Sequence, residues 1–568
     1  MMIRMMAAGL AGLFIASCAS EPPEPPTADA STARTVTGGE VVGYLDAETG
    51  AQVWQGVPFA AAPQGDLRWR APRPVEGWEG TLEALSHPAM CPQITNALNA
   101  EATGAEPGQL VGSEACLKLD VYAPAGAGPD DADRPVMVWI HGGANVWGSA
   151  SQYDGAQLAS DQDVVVVVIQ YRLGPIGFFA HPDLSAEAES EADAAANFAL
   201  LDQIAALEWV RENAAQFGGD AGNVTIFGES AGGHNVAGLM ASPRAEGLFH
   251  RAVIQSGSFV STPLAEAQSE GEFSATAAAE RFAGANAGVQ AVRAAPLQAI
   301  YDAYAGEGLR DGLPRMIEDG VTIPDRPLSE AFSSPDGFNA VPVITGTNKD
   351  ELKLFNILDD SLTNRWFGVI IRVQDQAFFD IMSDYQSRLW RVMAVDRPAT
   401  RMVEGGHDQV FAYRFDWDEG GSMAFMDMSE LLGAAHAMEI PFVFNHFDFF
   451  GRLDRALFND RNADGRQAVA EAMGAYWAHF ARTGDPNATG GPDWPAWRED
   501  GVLMRFDTPA DGGVEVITGT DSVQRIGADL AADDRLSPDQ RCRIRERLVF
   551  WRTEIEALPD MGCAPPGD

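Results

Sequence analysis

The stretch VTIFGESAGG at residues 224–233 constrains the fold of this chain more than any other segment. Four residues that favour β-structure lead into Gly-Glu-Ser-Ala-Gly, and small residues that can begin a helix follow. A chain that passes this quickly from strand to helix must turn sharply, and small neighbours such as Gly228 and Gly232 let the turn close. Ser230 would then lie at a helix N-terminus, where backbone N–H groups can bind a developing negative charge. This order of elements predicts a nucleophile elbow.

The elbow requires two partners elsewhere in the chain. A serine hydroxyl becomes an effective nucleophile only when a base accepts its proton and an acid orients that base. His436 lies among small residues ahead of an apolar run, so its ring can reach into a site, whereas His479 falls on a helical apolar pattern. An apolar segment at residues 341–345 ends shortly before Asp350 and Glu351, where open α/β sheets place active-site groups. These residues leave both carboxylates as candidates for the acid.

A glycine-rich turn, HGGA at residues 141–144, directly follows an apolar strand predicted at 136–140. Glycine lets a backbone approach a substrate closely and direct N–H groups at an oxyanion. Such a turn can also serve only to reverse the chain. The elbow in the same chain favours the oxyanion site, because each motif needs the other.

Short apolar segments alternate with helical patterns along the chain. Apolar residues recur at helical spacing over residues 200–210, which predicts a helix between two strands. The alternation predicts an α/β fold with a doubly wound, mostly parallel sheet. The predicted buried strands are residues 136–140, 164–169, 224–227, 252–254 and 341–344.

Many further blocks accompany these motifs in one order, and chance does not produce such agreement. Together they resemble the type-B carboxylesterases, the family that includes cholinesterases, bile-salt lipases and bacterial para-nitrobenzyl esterases. The resemblance extends from Thr37 to Arg552. The matching blocks are QGVPFA at 55–60, LRW at 67–69, Trp78, SEACLKLDVY at 113–122, WIHGGA at 139–144, YRLG at 171–174, DQ at 202–203, WV at 209–210, FGGD at 217–220 and QSGS at 255–258.

The resemblance implies a serine carboxylesterase that hydrolyses small-molecule carboxylic esters through an acyl-enzyme. It assigns the nucleophile to Ser230, the acid to Glu351 rather than Asp350, and the base to His436. It also implies one α/β-hydrolase domain over residues 36–568.

The resemblance assigns the oxyanion hole to the backbone N–H groups of Gly143, Ala144 and Ala231. Ala144 stands where a third glycine is more usual, which bears on the shape of the acyl pocket and not on the N–H donor. Trp147, shortly after this turn, is the best single candidate for a wall of the substrate pocket.

Two polar residues are expected to support the triad. Glu229, beside the nucleophile, is expected to be buried and to need hydrogen bonds there. Ser256 resembles the family position that supports the acid, and a hydroxyl that caps the preceding strand is an equally weighted interpretation.

Helical cap insertions are expected around residues 262–338 and 362–395. Aromatic residues of the second insertion, such as Trp366, Phe367 and Trp390, could line an apolar pocket, although ordinary helix packing is the commoner role for any one of them.

Two other classes of function share parts of this pattern. Noncatalytic adhesion proteins of the same family typically lack the serine or the histidine, whereas Ser230, Glu351 and His436 are all present. A lipase, a thioesterase or a peptidase can use the same triad, because the pocket selects the substrate. The sequence leaves the preferred acyl and alcohol groups open.

The N-terminus has the pattern of an export signal. Arg4 precedes an apolar run at residues 7–16 that is too short to span a membrane as a mature helix. The run ends in IASC at residues 15–18, which resembles a bacterial lipobox, whose cysteine is lipidated after cleavage. A proline-rich segment at residues 21–26 predicts an extended tether.

We therefore expect a lipoprotein signal peptide at residues 1–17, a lipidated Cys18 and a disordered tether at residues 18–35. A plain signal peptide with an incidental cysteine is the alternative. The expected location is the periplasm or cell surface of a bacterium, with the lipid anchor as the only attachment to the membrane.

Four cysteines remain after Cys18, and an exported chain can oxidise them in three pairings. The family resemblance implies a bond between Cys91 and Cys116. That choice leaves Cys542 and Cys563 as the second pair.

The net charge of −42 argues against nucleic acid as a partner, since polyanions would repel the chain. The acidic residues are scattered, which is typical of a solvated acidic surface. The sequence shows no metal-ligand spacing and no phosphate-binding loop, so we expect neither metal nor cofactor. It does not indicate an oligomeric state.

Overall fold

A computed structural model describes residues 25–304, 312–366, 370–423, 425–487, 490–548, 558–559 and 561–563, with only the backbone at residues 101–102. The predicted signal peptide, Cys18, the first part of the predicted tether and Phe367 lie outside the described residues.

The strands are numbered in chain order. They are β1 (Arg34–Val36), β2 (Gly39–Val42), β3 (Tyr44–Leu45), β4 (Gln52–Pro58), β5 (Thr81–Glu83), β6 (Gln93–Ile94), β7 (Leu110–Val111), β8 (Lys118–Ala123), β9 (Arg134–Ile140), β10 (Val165–Ile169), β11 (Gly219–Glu229), β12 (Arg251–Gln255), β13 (Thr262–Pro263), β14 (Ile317–Glu318), β15 (Val343–Asn348), β16 (Thr363–Trp366), β17 (Ile370–Val373), β18 (Val410–Phe415), β19 (Ser422–Met423), β20 (Met426–Asp427), β21 (Leu503–Phe506) and β22 (Glu515–Ile517).

The α-helices are numbered in the same way. They are α1 (Ala100–Thr103), α2 (Ala156–Gln162), α3 (Gly174–Gly177), α4 (Pro182–Ala186), α5 (Phe198–Asn213), α6 (Ala231–Ala241), α7 (Ala275–Ala283), α8 (Val289–Arg293), α9 (Leu297–Asp302), α10 (Leu328–Ala331), α11 (Lys353–Asn356), α12 (Gln376–Arg391), α13 (Arg397–Glu404), α14 (Met428–Leu431), α15 (Ile440–Phe444), α16 (Asp454–Leu457), α17 (Ala463–Thr483), α18 (Val523–Ala532) and α19 (Pro538–Arg547).

The central sheet has eleven strands among the described residues, in the order β22-β21-β18-β15-β12-β11-β9-β10-β8-β4-β3. The strands from β21 to β10 run parallel to one another. Antiparallel strands complete both edges, with β22 at one and β8, β4 and β3 at the other. Parallel strands place all their carboxyl ends on one edge, where the loops of the site begin.

Both faces of the sheet are covered, which explains why its strands are continuously apolar. Side chains alternate between two hydrophobic clusters: Val138 of β9 packs in one cluster and Trp139 in the other. Residues of α5 and α6 belong to the first cluster, and residues of α2 and α17 belong to the second. This arrangement confirms the predicted doubly wound, mostly parallel α/β fold. Every buried strand predicted from the sequence overlaps an observed strand.

Four of the sequence blocks are joined in pairs by buried ion pairs. Arg68 forms a buried ion pair with Glu114 at 2.6 Å, which joins the blocks at residues 67–69 and 113–122. Arg172 pairs with Asp202 at 2.7 Å in the same way, and both side chains are buried. A buried charge needs such a partner, so these residues anchor loops around the sheet.

Both predicted disulfides are present, between Cys91 and Cys116 and between Cys542 and Cys563. Helices α7 to α10 lie in the first predicted insertion, and α12 lies in the second. None of the helices in the described parts of the chain is long and apolar enough to cross a membrane.

Candidate active site

Ser230 occupies a strained turn between β11 and α6. Its backbone has φ 57° and ψ −119°, a conformation that costs a non-glycine residue free energy. The N–H of Ser230 donates to the carbonyl of Gln255, the last residue of β12, at 2.8 Å. The serine is thus held at the N-terminus of α6, as the elbow pattern predicts.

The turn closes because glycines sit where no side chain fits. A Cβ on Gly232 would lie 1.9 Å from the carbonyl oxygen of Ile140, and one on Gly228 would lie 2.6 Å from the same atom. Ile140 ends β9, so these contacts bring the elbow against the start of the glycine-rich turn.

Glu351 and His436 meet at the carboxyl edge of the sheet. Nδ1 of His436 lies 2.5 Å from Oε2 of Glu351, and both side chains are buried. Asp350, the alternative acid, instead lies 3.3 Å from Nζ of Lys353. The geometry therefore agrees with Glu351 as the partner of the histidine.

The other carboxylate oxygen of Glu351 is fully hydrogen-bonded. Oε1 accepts from Oγ of Ser256 at 2.6 Å, from Oγ1 of Thr347 at 2.7 Å and from the N–H of Asn348 at 2.8 Å. Burial raises the pKa of Glu351, but the charge of His436 and the hydrogen bonds from His436, Asn348 and Ser256 outweigh the burial and hold the pKa below its usual value. The contact of Ser256 favours its interpretation as a support for the acid.

The glycine-rich turn lies against Ser230. A Cβ on Gly142 would lie 3.3 Å from Cβ of Ser230. Gly143 and Ala144 both have positive φ, 98° and 54°. Among the described residues, the N–H groups of Gly143, Ala144 and Ala231 donate to no protein acceptor, so all three are available to a substrate oxygen.

The turn is held from both sides. The side-chain amides of Asn145 and Asn235 donate to each other at 3.1 and 2.8 Å, which ties the turn to α6. Nη1 of Arg315 donates to the carbonyl of Ala144 at 2.6 Å. Preorganised N–H groups stabilise an oxyanion best because they need no reorganisation during the reaction.

Glu229 contacts the other nitrogen of the imidazole. Its Oε1 lies 3.0 Å from Nε2 of His436, and this carboxyl is buried. Among the described residues, Oε1 accepts no hydrogen bond, and its partner is the imidazole of His436. Among the described hydrogen bonds, none joins Ser230 Oγ to His436.

Aromatic rings enclose the histidine. The Trp390 ring lies 4.8 Å from the imidazole, and Phe355 lies 5.2 Å from it. Of the aromatic residues of the second insertion that could line a pocket, Trp390 thus lies at the site, whereas Trp366 is exposed. Trp147 is half-buried beside the turn, and its backbone N–H donates to the carbonyl of Gly143 at 3.0 Å.

Comparison with known proteins identifies the family of this chain. Residues 30–365 and 372–521 match the model of the carboxylesterase family. The chain belongs to this family.

Individual carboxylesterases agree with the match. The chain is 34% identical to para-nitrobenzyl esterase of Bacillus subtilis (strain 168), over 80% of this chain and 90% of the relative. It is 33% identical to human cocaine esterase, over 85% of this chain and 89% of the relative. A solved thermophilic para-nitrobenzyl esterase matches with a TM-score of 0.69 and 30% identity, covering 87% and 99% of the two chains. The protein is a serine carboxylesterase.

Sequence reasoning missed several residues of the carboxylesterase site. Thr347 and Asn348 contact Glu351, and Glu439, three residues after His436, accepts from Asn348. Only tertiary contacts show what these side chains face. The described residues contain no cluster of three or more metal-binding side chains.

Proposed function

We propose that Ser230, His436 and Glu351 form the catalytic triad of this carboxylesterase. The observation that carries the proposal is the 2.5 Å contact between Glu351 and Nδ1 of His436, beside a serine held in a strained elbow. The contact fixes the imidazole so that Nε2 is the nitrogen left for the serine proton.

The reaction follows from these positions. Nε2 of His436 accepts the proton of Ser230, and Oγ attacks the ester carbonyl. For this step Nε2 must leave its contact with Glu229 and face Oγ of Ser230, the next residue in the chain. Catalytic hydrogen bonds are often incomplete without substrate, so we expect this contact to form when the ester binds. The protonated imidazole, stabilised by Glu351, then gives its proton to the leaving alcohol, and water repeats the sequence on the acyl-enzyme.

The N–H groups of Gly143, Ala144 and Ala231 form the oxyanion hole in this proposal. Two of them lie on the glycine-rich turn and the third begins α6, so they approach one point from two elements. Removing one such donor typically lowers kcat by about 10²- to 10³-fold.

The two predicted insertions form a cap over this site within one domain spanning residues 36–568. Arg315 of the first insertion contacts the carbonyl of Ala144, and Trp390 of the second contacts His436. These contacts, with Trp147 beside the turn, support an apolar pocket for the acyl or alcohol group.

The substrate class proposed is small carboxylic esters, with short-chain para-nitrophenyl esters as the test compounds. We expect Ser230→Ala to abolish hydrolysis, since no other group can form the acyl-enzyme, while circular dichroism and the melting temperature stay near those of the parent. Ser160→Ala, on α2, is the matched control and keeps full activity. Full activity in Ser230→Ala would show that another residue is the nucleophile.

The carboxylesterase is also proposed to be an exported lipoprotein, anchored to a bacterial membrane through Cys18. The lipobox-like pattern at residues 15–18 and the two disulfides support this location, because disulfides persist in oxidising compartments. Mass spectrometry of the mature N-terminus provides the test. A diacylglycerol-modified Cys18 is expected, and an unmodified Cys18 contradicts the anchor.

A further inference from the structure

Asn348 bonds to both of the loops that carry the acid and the base. It ends β15 and is only 1% exposed. Its backbone N–H donates to Oε1 of Glu351 at 2.8 Å. Its side-chain Nδ2 donates to the carbonyl of Ala435, the residue before His436, at 2.8 Å, and to Oε2 of Glu439 at 2.6 Å.

Glu439 extends this connection to the nucleophile. Its Oε1 accepts from Nε2 of Gln255 at 3.2 Å, and the backbone carbonyl of Gln255 accepts the N–H of Ser230 at 2.8 Å. Oε1 of Gln255 in turn accepts from Nε1 of Trp477 at 3.1 Å. A buried chain of hydrogen bonds from Asn348 through Glu439 to Gln255 therefore links the loops of all three triad residues.

The orientation of the Asn348 amide is fixed by its neighbours. The carbonyl of Ala435 and the carboxyl of Glu439 both present acceptors, so only the NH₂ group can face them. An aspartate has the same shape but offers an acceptor instead of these two donors. Buried unpaired acceptors destabilise a structure, so the network depends on an amide at this position.

We propose that Asn348 is a positioning residue that holds the Glu351 and His436 loops at catalytic distance. It touches none of the reacting atoms and acts through the two loops. The inference rests on the triad proposed above. The Asn348 hydrogen bonds align the triad and do not reach the substrate pocket. Losing them therefore lowers kcat and leaves KM near the parent value.

The test compares Asn348→Asp with Asn213→Asp, using a para-nitrophenyl ester. Asn213 is a buried amide at the end of α5 that bonds to Trp209 and Thr37, away from the triad. We expect Asn348→Asp to lower kcat about 10²-fold, the cost of a small misplacement of catalytic groups. We expect Asn213→Asp to keep the parental kcat, calculated per molecule of folded enzyme. If Asn348→Asp does not fold, Asn348→Ser carries the same test, because it retains the backbone N–H and removes both side-chain donors.

A charge-conserving exchange separates positioning from general packing. The double variant Asn348→Asp with Glu439→Gln keeps the net charge and shape of the pair and exchanges its donor and acceptor. It restores the bond between these side chains but leaves the Ala435 carbonyl unpaired. We expect it to regain part of the kcat lost in Asn348→Asp, and to regain the low-field proton resonance of His436 Nδ1–H.

The outcomes are distinct. A parental kcat in Asn348→Asp or Asn348→Ser overturns the inference, as does failure of both to fold, since the residue would then be needed only for the fold. A rise in KM with unchanged kcat also overturns it. Ser230→Ala is assayed in parallel: full activity there overturns the proposed triad, whereas an inactive Ser230→Ala with a parental Asn348→Asp overturns only the positioning role.

Discussion

His436 lies between two buried carboxylates that have opposite electrostatic character. Burial raises the pKa of Glu351, on the Nδ1 side, but the charge of His436 and hydrogen bonds from His436, Asn348 and Ser256 outweigh the burial and lower the pKa. Burial raises the pKa of Glu229, on the Nε2 side, to about 8, and the charge of His436 only partly opposes this. Glu351 is therefore ionised at neutral pH, whereas Glu229 ionises less readily and depends on the charge of His436 to do so.

The charge of Glu229 influences the basicity of His436. Burial lowers the pKa of His436, but the charges of Glu229 and Glu351 outweigh it and raise the pKa to about 9. A glutamine at position 229 cannot carry this negative charge, so Glu229→Gln should lower the pKa of His436. The base is then neutral at lower pH, and the acid limb of the kcat/KM profile should move to lower pH.

The pH profile of Glu229→Gln is measured beside that of Glu318→Gln. Glu318 is also buried, but it bonds to Ser261 and not to the triad. Its profile should match that of the parent. An acid limb that stays in place, or moves to higher pH, in Glu229→Gln would show that Glu229 does not influence the base.

At the scale of elements, the site depends on how closely α6 approaches β9. The Cβ of an alanine at position 232 would lie 1.9 Å from the carbonyl of Ile140, and backbone atoms cannot move aside as a flexible side chain can. Gly232→Ala should push α6 away from β9 and separate Ser230 from the glycine-rich turn. We expect a loss of about 1–3 kcal/mol of unfolding free energy, typical of overpacking, and about 10²-fold in kcat/KM.

Gly238→Ala, on the same helix, is the control for this substitution. Its Cβ would meet the Sδ and Cε atoms of Met316, at 2.7 and 2.8 Å, and a methionine tip can rotate away. Chemical denaturation and ester kinetics compare the two variants. Equal effects of the two alanines would mean that the backbone contact at Ile140 has no special importance.

The sequence predicted those elements whose cause is local. Continuous apolar runs predicted the parallel strands, and the order strand, serine, helix predicted the elbow at Ser230. The contact between Nε2 of His436 and Glu229, and the bonds of Asn348, could not be predicted, because they join segments far apart in the chain. The choice of Glu351 over Asp350 came from family resemblance, since adjacent carboxylates differ only in the direction that the folded loop gives them.

At the scale of the whole molecule, the two disulfides constrain different regions. Cys91–Cys116 closes a loop that contains Gln93, whose side chain bonds both to the N–H of Gly148 at 3.0 Å and to its carbonyl at 2.9 Å. Gly148 lies against His141, at the start of the glycine-rich turn. Cys542–Cys563 instead ties α19 to the last described residues. The first bond thus braces the glycine-rich turn, and the second constrains the C-terminal segment.

This difference predicts different effects of removing each bond. Replacing either pair with serine should cost about 3 kcal/mol of unfolding free energy, because loops of 25 and 21 residues lose similar entropy when closed. Only Cys91→Ser with Cys116→Ser should also lower kcat/KM at a temperature where both variants are folded, since the glycine-rich turn loses its brace. Denaturant titration and para-nitrophenyl ester kinetics measure the two quantities separately. Equal kcat/KM in both variants would show that α6 and the Asn145–Asn235 pair hold the turn without help from the Cys91–Cys116 loop.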